Sequence, residues 1–279
     1  IGLGSLYYTL VLSDASLGFA VGRVAGGVVF SLGLLLVVVA GAELFTGNNL
    51  LAMAWADGCV SWREVVRNWV VVCTANFVGA AGLALLVYLS GHWEMNGGAV
   101  GATYLKVAAA KAALPAWRAF FLAMLCNILV CMAVWMALAG RSVVDKFVAI
   151  LFPVSAFVAA GFEHSIANMY FFAIAMLLKW HGLALPPGGD AINLAGMLGN
   201  MGGPGGMGGG GRGGGGMGGP PDMGGMPGGG MPSGGMPGGM ASAGTTSTNE
   251  DESARPAMDT NTPTALFDAV IKLLEKKLQ

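Results

Sequence analysis

The sequence predicts an all-α protein that crosses a membrane several times, and three observations carry the prediction. Hydrophobic residues make up 55% of the 279 and charged residues only 10%, a balance that suits neither a soluble domain nor a disordered chain. Three runs free of charge, Val24 to Ala42 (19 residues), Trp69 to Gly91 (23) and Ala119 to Gly140 (22), are each long enough as helices to cross roughly 30 Å of hydrocarbon. Two distant segments, VVAGAELFTGN (Val38 to Asn48) and VAAGFEHSIAN (Val158 to Asn168), align without gaps at an offset of 120 residues.

The chain opens at Ile1 inside an apolar stretch, Leu3 to Leu12, and so reads as a fragment that begins in the tail of a first helix. After the three charge-free runs comes a fourth apolar block, Phe147 to Leu178, which Glu163 and His164 interrupt to leave halves of 16 and 14 residues. The two aligned segments share Val38/Val158, Ala40/Ala160, Gly41/Gly161, Glu43/Glu163 and Asn48/Asn168. Getting from the first to the second takes three crossings, and an odd number reverses direction. That makes them an inverted-topology repeat, whose broken helices meet near the bilayer midplane and offer unwound backbone to a permeating solute. The alternative is chance likeness among the small residues common in membrane helices.

An ionisable side chain inside a span is costly and marks a functional site by default. For Glu163 a structural role is the stronger reading, because a carboxylate at a half-helix N-terminus can accept bonds from free backbone amides and is stabilised there by the dipole. For His164 the functional reading leads, since histidine changes charge near neutral pH and lies at the break itself. Thr46 by its residue type alone is a common packing hydroxyl.

The composition changes at Pro186. Residues 188–240 are dominated by Gly, Met and Pro in imperfect GGMP units, which cannot bury enough apolar surface to offset their ordering entropy. The expected organisation is a membrane domain over 1–185, a disordered low-complexity linker over 186–261 and a short amphipathic helix over 262–279. In that helix Thr262 is the N-cap, Pro263 the first helical residue, and Phe267, Val270, Ile271, Leu274 and Leu278 share one face.

The net charge of −1 gives no pull toward nucleic acid. The four cysteines, Cys59, Cys73, Cys126 and Cys131, form no ligand or redox spacing and read as small hydrophobes. Neither a metal nor a cofactor is expected, and no nucleophile and base set or phosphate loop points to an enzyme.

Together GAELFTGN, CNILVCMAVW, GRSVVDK and GFEHSIANM, in this order and spacing across Gly18 to Leu178, resemble the formate/nitrite transporter family. The resemblance implies an aquaporin-like inverted repeat with broken second and fifth helices. It also implies a homopentamer of six-helix protomers in the cytoplasmic (plasma) membrane, or in an organelle envelope if the source is eukaryotic. Each protomer would carry small monovalent weak-acid anions such as formate or nitrite, with protons. Residue by residue, it puts Thr46 and His164 face to face at the central constriction, Asn127 near the histidine and Lys111 in the outer vestibule. Leu34, Phe45 and Phe157 supply apolar rings, and Glu43, Asn48, Glu163 and Asn168 hold the breaks. It places the Arg141 side in the cytoplasm, which the distribution of Lys and Arg leaves undecided. Most of the first helix and the sixth are expected to be missing, since INLAGMLGNM (Ile192 to Met201) soon runs into glycine. Two other readings stay open: a membrane-tethered interaction protein using the tail, and a truncated transporter fragment without function. A water or glycerol channel of the hourglass type would show Asn-Pro-Ala at its breaks, and this chain has none.

Overall fold

A computed structural model describes residues 1–200, and these are helical with no strand among them. The helices are α1 (Gly2–Leu12), α2 (Phe19–Ala40), α3 (Leu51–Ala56), α4 (Trp62–Leu89), α5 (Ala99–Ala112), α6 (Ala116–Ala139), α7 (Val143–Ala160), α8 (Ser165–His181) and α9 (Leu194–Asn200). The helix expected over 262–279 lies outside the described residues, as does all but the first part of the expected linker.

The three charge-free runs lie along α2, α4 and α6, passing their C-terminal ends by one or two residues, and these with α7 are, among the described residues, the four helices long and apolar enough to cross a membrane. Their flanks obey local rules. SWRE and SVVD form capping boxes at Ser61/Glu64 and Ser142/Asp145, which satisfy the first free amides of α4 and α7. One face of α6 stays bare with Phe120, Phe121, Met124, Ile128 and Met132 exposed.

Within lipid, helices gain nothing from hiding apolar surface from one another, so close association rests on small residues that let backbones touch. α2 shows this on two sides. A Cβ on Gly27 would stand 2.7 Å from the Ser155 carbonyl oxygen of α7, and one on Gly4 of α1 would stand 2.5 Å from that of Phe30 in α2. The α2–α7 contact is antiparallel, since Arg23 near the start of α2 bonds the Ala159 carbonyl at the end of α7. The helices that lead into the two aligned segments therefore run in opposite directions, as an inverted repeat requires.

Both breaks follow one pattern. α2 ends at Gly41 (φ +68°) and α7 at Gly161 (φ +77°), each left-handed. Ala42 N–H then reaches back to the Val37 carbonyl at 2.9 Å, and Phe162 N–H to the Phe157 carbonyl at 3.0 Å, the six-to-one bond of a Schellman ending. At the second break three residues of irregular chain, Phe162 to His164, follow Gly161 before α8, where Asn168 N–H bonds the His164 carbonyl at 2.9 Å. At the first break Asn48 N–H bonds the Leu44 carbonyl at 2.8 Å. The halves after the breaks differ: a 3-10 turn at Asn48–Leu50 and the short α3 in one repeat, the 17-residue α8 in the other. α8 is buried on almost every side, from Ile166 through Ala175 and at Leu178, and is the centre of the core.

The packed helices run on past residue 185. Lys179 Nζ donates to the carbonyls of Gly189, Asp190 and Ile192 at 3.1 to 3.4 Å, which fixes the turn into α9. Within INLAGMLGNM, Leu194–Asn200 form the seven-residue α9, with Met197 and Asn200 buried; the sixth helix expected to be missing would continue outside the described residues.

The two glycines give a paired prediction. Gly41→Ala meets nothing within 4 Å and should cost about 1 kcal/mol of left-handed strain. At Gly161 the new Cβ would also stand 2.6 Å from Arg23 Nη2, displacing a bonded guanidinium. Unfolding midpoints in detergent should fall further for Gly161→Ala, and equal losses would show that the guanidinium is not held there.

Candidate functional site

The second break turns at Gly161 and exposes Glu163 and His164 to the interior, and His164 is the N-cap of α8. Its Nδ1 accepts the Ala167 N–H at 3.2 Å, and its Nε2 lies 3.3 Å from Thr46 Oγ1. A ring nitrogen that accepts carries no proton, so in this arrangement the imidazole is neutral and presents Nε2–H to the threonine. The ring stacks on Phe157 (centroids 5.8 Å, 27° between planes) and meets the edge of Phe30 at 6.4 Å. Thr46 and His164 are buried, at 6% and 4% exposure.

Two cavities meet at this contact. One, of about 270 Å³, is bounded by Tyr8, Arg23, Phe30, Lys111, Phe157 and His164, among others. The other, of about 730 Å³, runs along α6 past Phe45, Thr46, Asn127 and Cys131. Glu163 and His164 are the two residues common to both linings. The histidine is the partition.

The polar frame behind it is built twice. At the second break Asn168 Nδ2 donates to Glu163 Oε2 at 2.8 Å and also to Asn200 Oδ1. At the first, Asn48 Nδ2 donates to Glu43 Oε2 and to Asn68 Oδ1, the latter at 2.8 Å. The pattern is the same atom for atom, with Asn68 from α4 and Asn200 from α9 as third members. Each break then has its own additions. Asn76 clamps the first, accepting Phe45 N–H at 3.0 Å and donating to the Glu43 carbonyl at 3.1 Å, while Trp69 Nε1–H bonds the Asn48 carbonyl at 3.0 Å. At the second, Lys111 Nζ pairs with Glu163 Oε2 at 2.7 Å, and Asn200 Nδ2 donates to the Lys111 carbonyl at 2.9 Å. Lys111, Glu163, Asn168 and Asn200 close a ring that joins α5, the break, α8 and α9.

Two expectations change in detail. The Glu163 carboxylate is held by the side chains of Lys111 and Asn168, where the sequence led us to expect half-helix backbone amides. The half-helix amide beside it is taken by His164 instead. Lys111 lines the smaller cavity as a member of an ion pair, also standing 5.7 Å over the Phe171 ring, where a lysine open to entering anions was expected.

The other named residues fall as follows. Leu34 is buried in the core, Phe45 lines the larger cavity and Phe157 lines the smaller. Asn127 faces the larger cavity, with Nδ2 3.6 Å from Cys131 Sγ and a buried Oδ1 that has no partner among the described residues. Sequence reasoning missed Phe30, Asn68, Asn76 and Asn200. Phe30 was within reach, one helical turn before Leu34. The asparagines were not, since their role depends on which helix packs beside which break.

The fold and site define a class: a multi-pass helical membrane protein in which two inverted, broken helices bring a threonine and a histidine together between cavities. The sequence model of the formate/nitrite transporter family matches residues 1–210, and the chain belongs to that family. It is 40% identical over 173 residues to the formate channel FocA of Escherichia coli (strain K12), covering 62% of this chain and 61% of that protein. To the formate channel FocA of Haemophilus influenzae it is 38% identical over 178 residues, covering 63% of each. The chain thus spans about three fifths of the curated relatives it matches. Among solved structures, one described as a pentameric formate channel with formate bound superposes with a TM-score of 0.62 at 38% identity, over 68% of this chain and 74% of that one. A second, an FNT family ion channel, gives 0.59 at 33% identity over 72% and 78%. These relatives are channels and transporters, and this chain is an integral membrane protein.

The ion pair makes a stability prediction. Lys111→Met or Glu163→Gln alone leaves one buried polar or charged partner uncompensated and should cost about 3–5 kcal/mol, whereas the double variant should cost clearly less than the sum. Unfolding of the four proteins in detergent reads the coupling, and strictly additive losses would show that the two groups do not support each other.

Proposed function

We propose that the protein moves small monovalent weak-acid anions, formate or nitrite among them, across the cytoplasmic membrane together with a proton, and that His164 is the residue they meet. The observation that carries this reading is the Nε2–H of a neutral imidazole aimed at Thr46, on a partition between two cavities. The names of the relatives add formate as the solute and a pentamer as the assembly.

The magnitudes favour passage as the neutral acid. A bare carboxylate moved into an apolar constriction loses hydration worth up to tens of kcal/mol in the idealised limit. Protonating an acid with a pKa of about 4 at neutral pH costs about 4 kcal/mol. Phe30 and Phe157 make the surroundings of His164 apolar enough for that difference to decide the route.

At the partition an anion takes the place of Thr46 as acceptor of the Nε2–H. Full transfer needs a second proton on the ring. Water in a cavity supplies it to Nδ1, the Ala167 N–H is released, and the imidazolium passes its Nε2 proton to the carboxylate oxygen. The products are the neutral acid and an imidazole protonated on Nδ1. The ring resets by exchanging tautomers through water: Nε2 takes up a proton from water as Nδ1 gives its own back, so the ring again carries Nε2–H and recaps α8. Asn127 borders the next space, where its unpartnered Oδ1 can accept the acid's O–H.

In proteoliposomes with an internal pH dye, formate entry should acidify the lumen and should be faster at about pH 6 than at about pH 8. His164→Asn should slow entry by ~100-fold and flatten the pH dependence. Unchanged rate and pH profile in that variant would remove the histidine from the mechanism.

A further inference from the structure

We propose that Arg23 is the residue that captures the anion on the Lys111 side of the partition, holding a flat monovalent oxyanion such as a small carboxylate or nitrite in the smaller cavity before it reaches His164. This rests on the transport reading above and assigns the loading site for it.

Two cations line that cavity, Arg23 and Lys111. Lys111 is spent: its Nζ lies 2.7 Å from Glu163 Oε2, and the pair is neutral as a unit. Arg23 is bound only to neutral groups. Its Nε donates to the Ala159 carbonyl at 3.2 Å and its Nη1 to Tyr8 Oη at 2.9 Å, and no carboxylate among the described residues pairs with it. Nη2 has no hydrogen-bond partner there either. It sits over Gly161, 2.6 Å from where a Cβ would be, so glycine at that position leaves room for the guanidinium against the cavity wall. Arginine keeps its charge at every working pH and offers planar paired donors, which match a carboxylate or nitrite better than an ammonium does. The two bonds that fix Nε and Nη1 hold the fork in place, so little entropy is lost when an anion lands on Nη2.

A structural role competes with this one, since a cation bonded to the last carbonyls of α7 also suits that helix end. The variants separate the two. Arg23→Gln can still donate to the Ala159 carbonyl but has no charge, and Arg23→Lys keeps the charge without the fork. We would measure the concentration dependence of formate uptake in proteoliposomes, and in parallel the saturation-transfer signal of formate on detergent-solubilised full-length protein, which reads binding whether or not transport occurs.

The expected result is a half-saturating concentration raised about ten-fold in Arg23→Gln and a few-fold in Arg23→Lys. The maximal rate should fall less than the half-saturating concentration rises, and added sulfate should weaken low-concentration uptake by the unmodified protein more than by Arg23→Gln. A matching loss of formate signal in Arg23→Gln supports the site. Equal half-saturation, or equal binding signals in the unmodified protein and both variants, overturns it while leaving transport standing. If the unmodified protein binds formate through Arg23 but moves none of the anions, the transport reading fails and the site survives. Should Arg23→Gln not fold, an Arg23→Lys protein with unaltered affinity overturns the proposal by itself.

Discussion

A helix broken inside a bilayer strands peptide groups where no water can serve them, and each such group costs several kcal/mol. Everything at the centre of this protein depends on how that problem is met. Each break is closed in the same way: a Schellman ending at a left-handed glycine collects the last carbonyls, and an asparagine five residues after a glutamate ties the loose chain to the next helix. One amide nitrogen does the tying, by donating both to that glutamate and to a second asparagine on a neighbouring helix. The breaks are therefore fixed by side chains that belong to other elements, and the loops can be short and irregular without being loose.

On this symmetric frame the polar groups at the partition are the ones that break the symmetry. The 120-residue offset sets His164 against Leu44 and Thr46 against Ile166. An apolar residue thus answers each polar one, and the polar pair comes together only because the two loops enter from opposite directions. The same holds for charge. Glu163 has Lys111 as a partner from α5, which adds a cation to the second break and neutralises the carboxylate next to His164. A neutral partition with one hydrogen-bond donor fits a solute that arrives as an anion and crosses as an acid, because a fixed positive charge beside the ring would hold the anion rather than pass it.

Much of this was legible in the sequence. Charge-free runs of 19 to 23 residues located α2, α4 and α6, and the gapless alignment of two segments located both breaks and the inverted repeat. The pairing of Thr46 with His164 followed from the resemblance. What was not legible came from contacts between distant elements. Asn68 and Asn200 sit in WREVVRNW and MLGNM, where an asparagine reads as an ordinary polar residue, and only the packing of α4 and α9 reveals them as equivalents. Nor was it legible that residues 194–200 form about two turns of helix whose last side chain completes the second break.

That last contact bears on what α9 is for. Asn200 reaches both Asn168, which holds Glu163, and the carbonyl of Lys111, whose ammonium holds the same carboxylate. A seven-residue helix with one asparagine is thus enough to link α5, α8 and the break beneath His164. The histidine's Nδ1 is spoken for by Ala167 N–H, so its Nε2–H can point at Thr46 only while the first turn of α8 stays where this ring of side chains puts it. The geometry at the partition is therefore inherited from the frame, and the contact between Thr46 and His164 is built on residues that lie behind it.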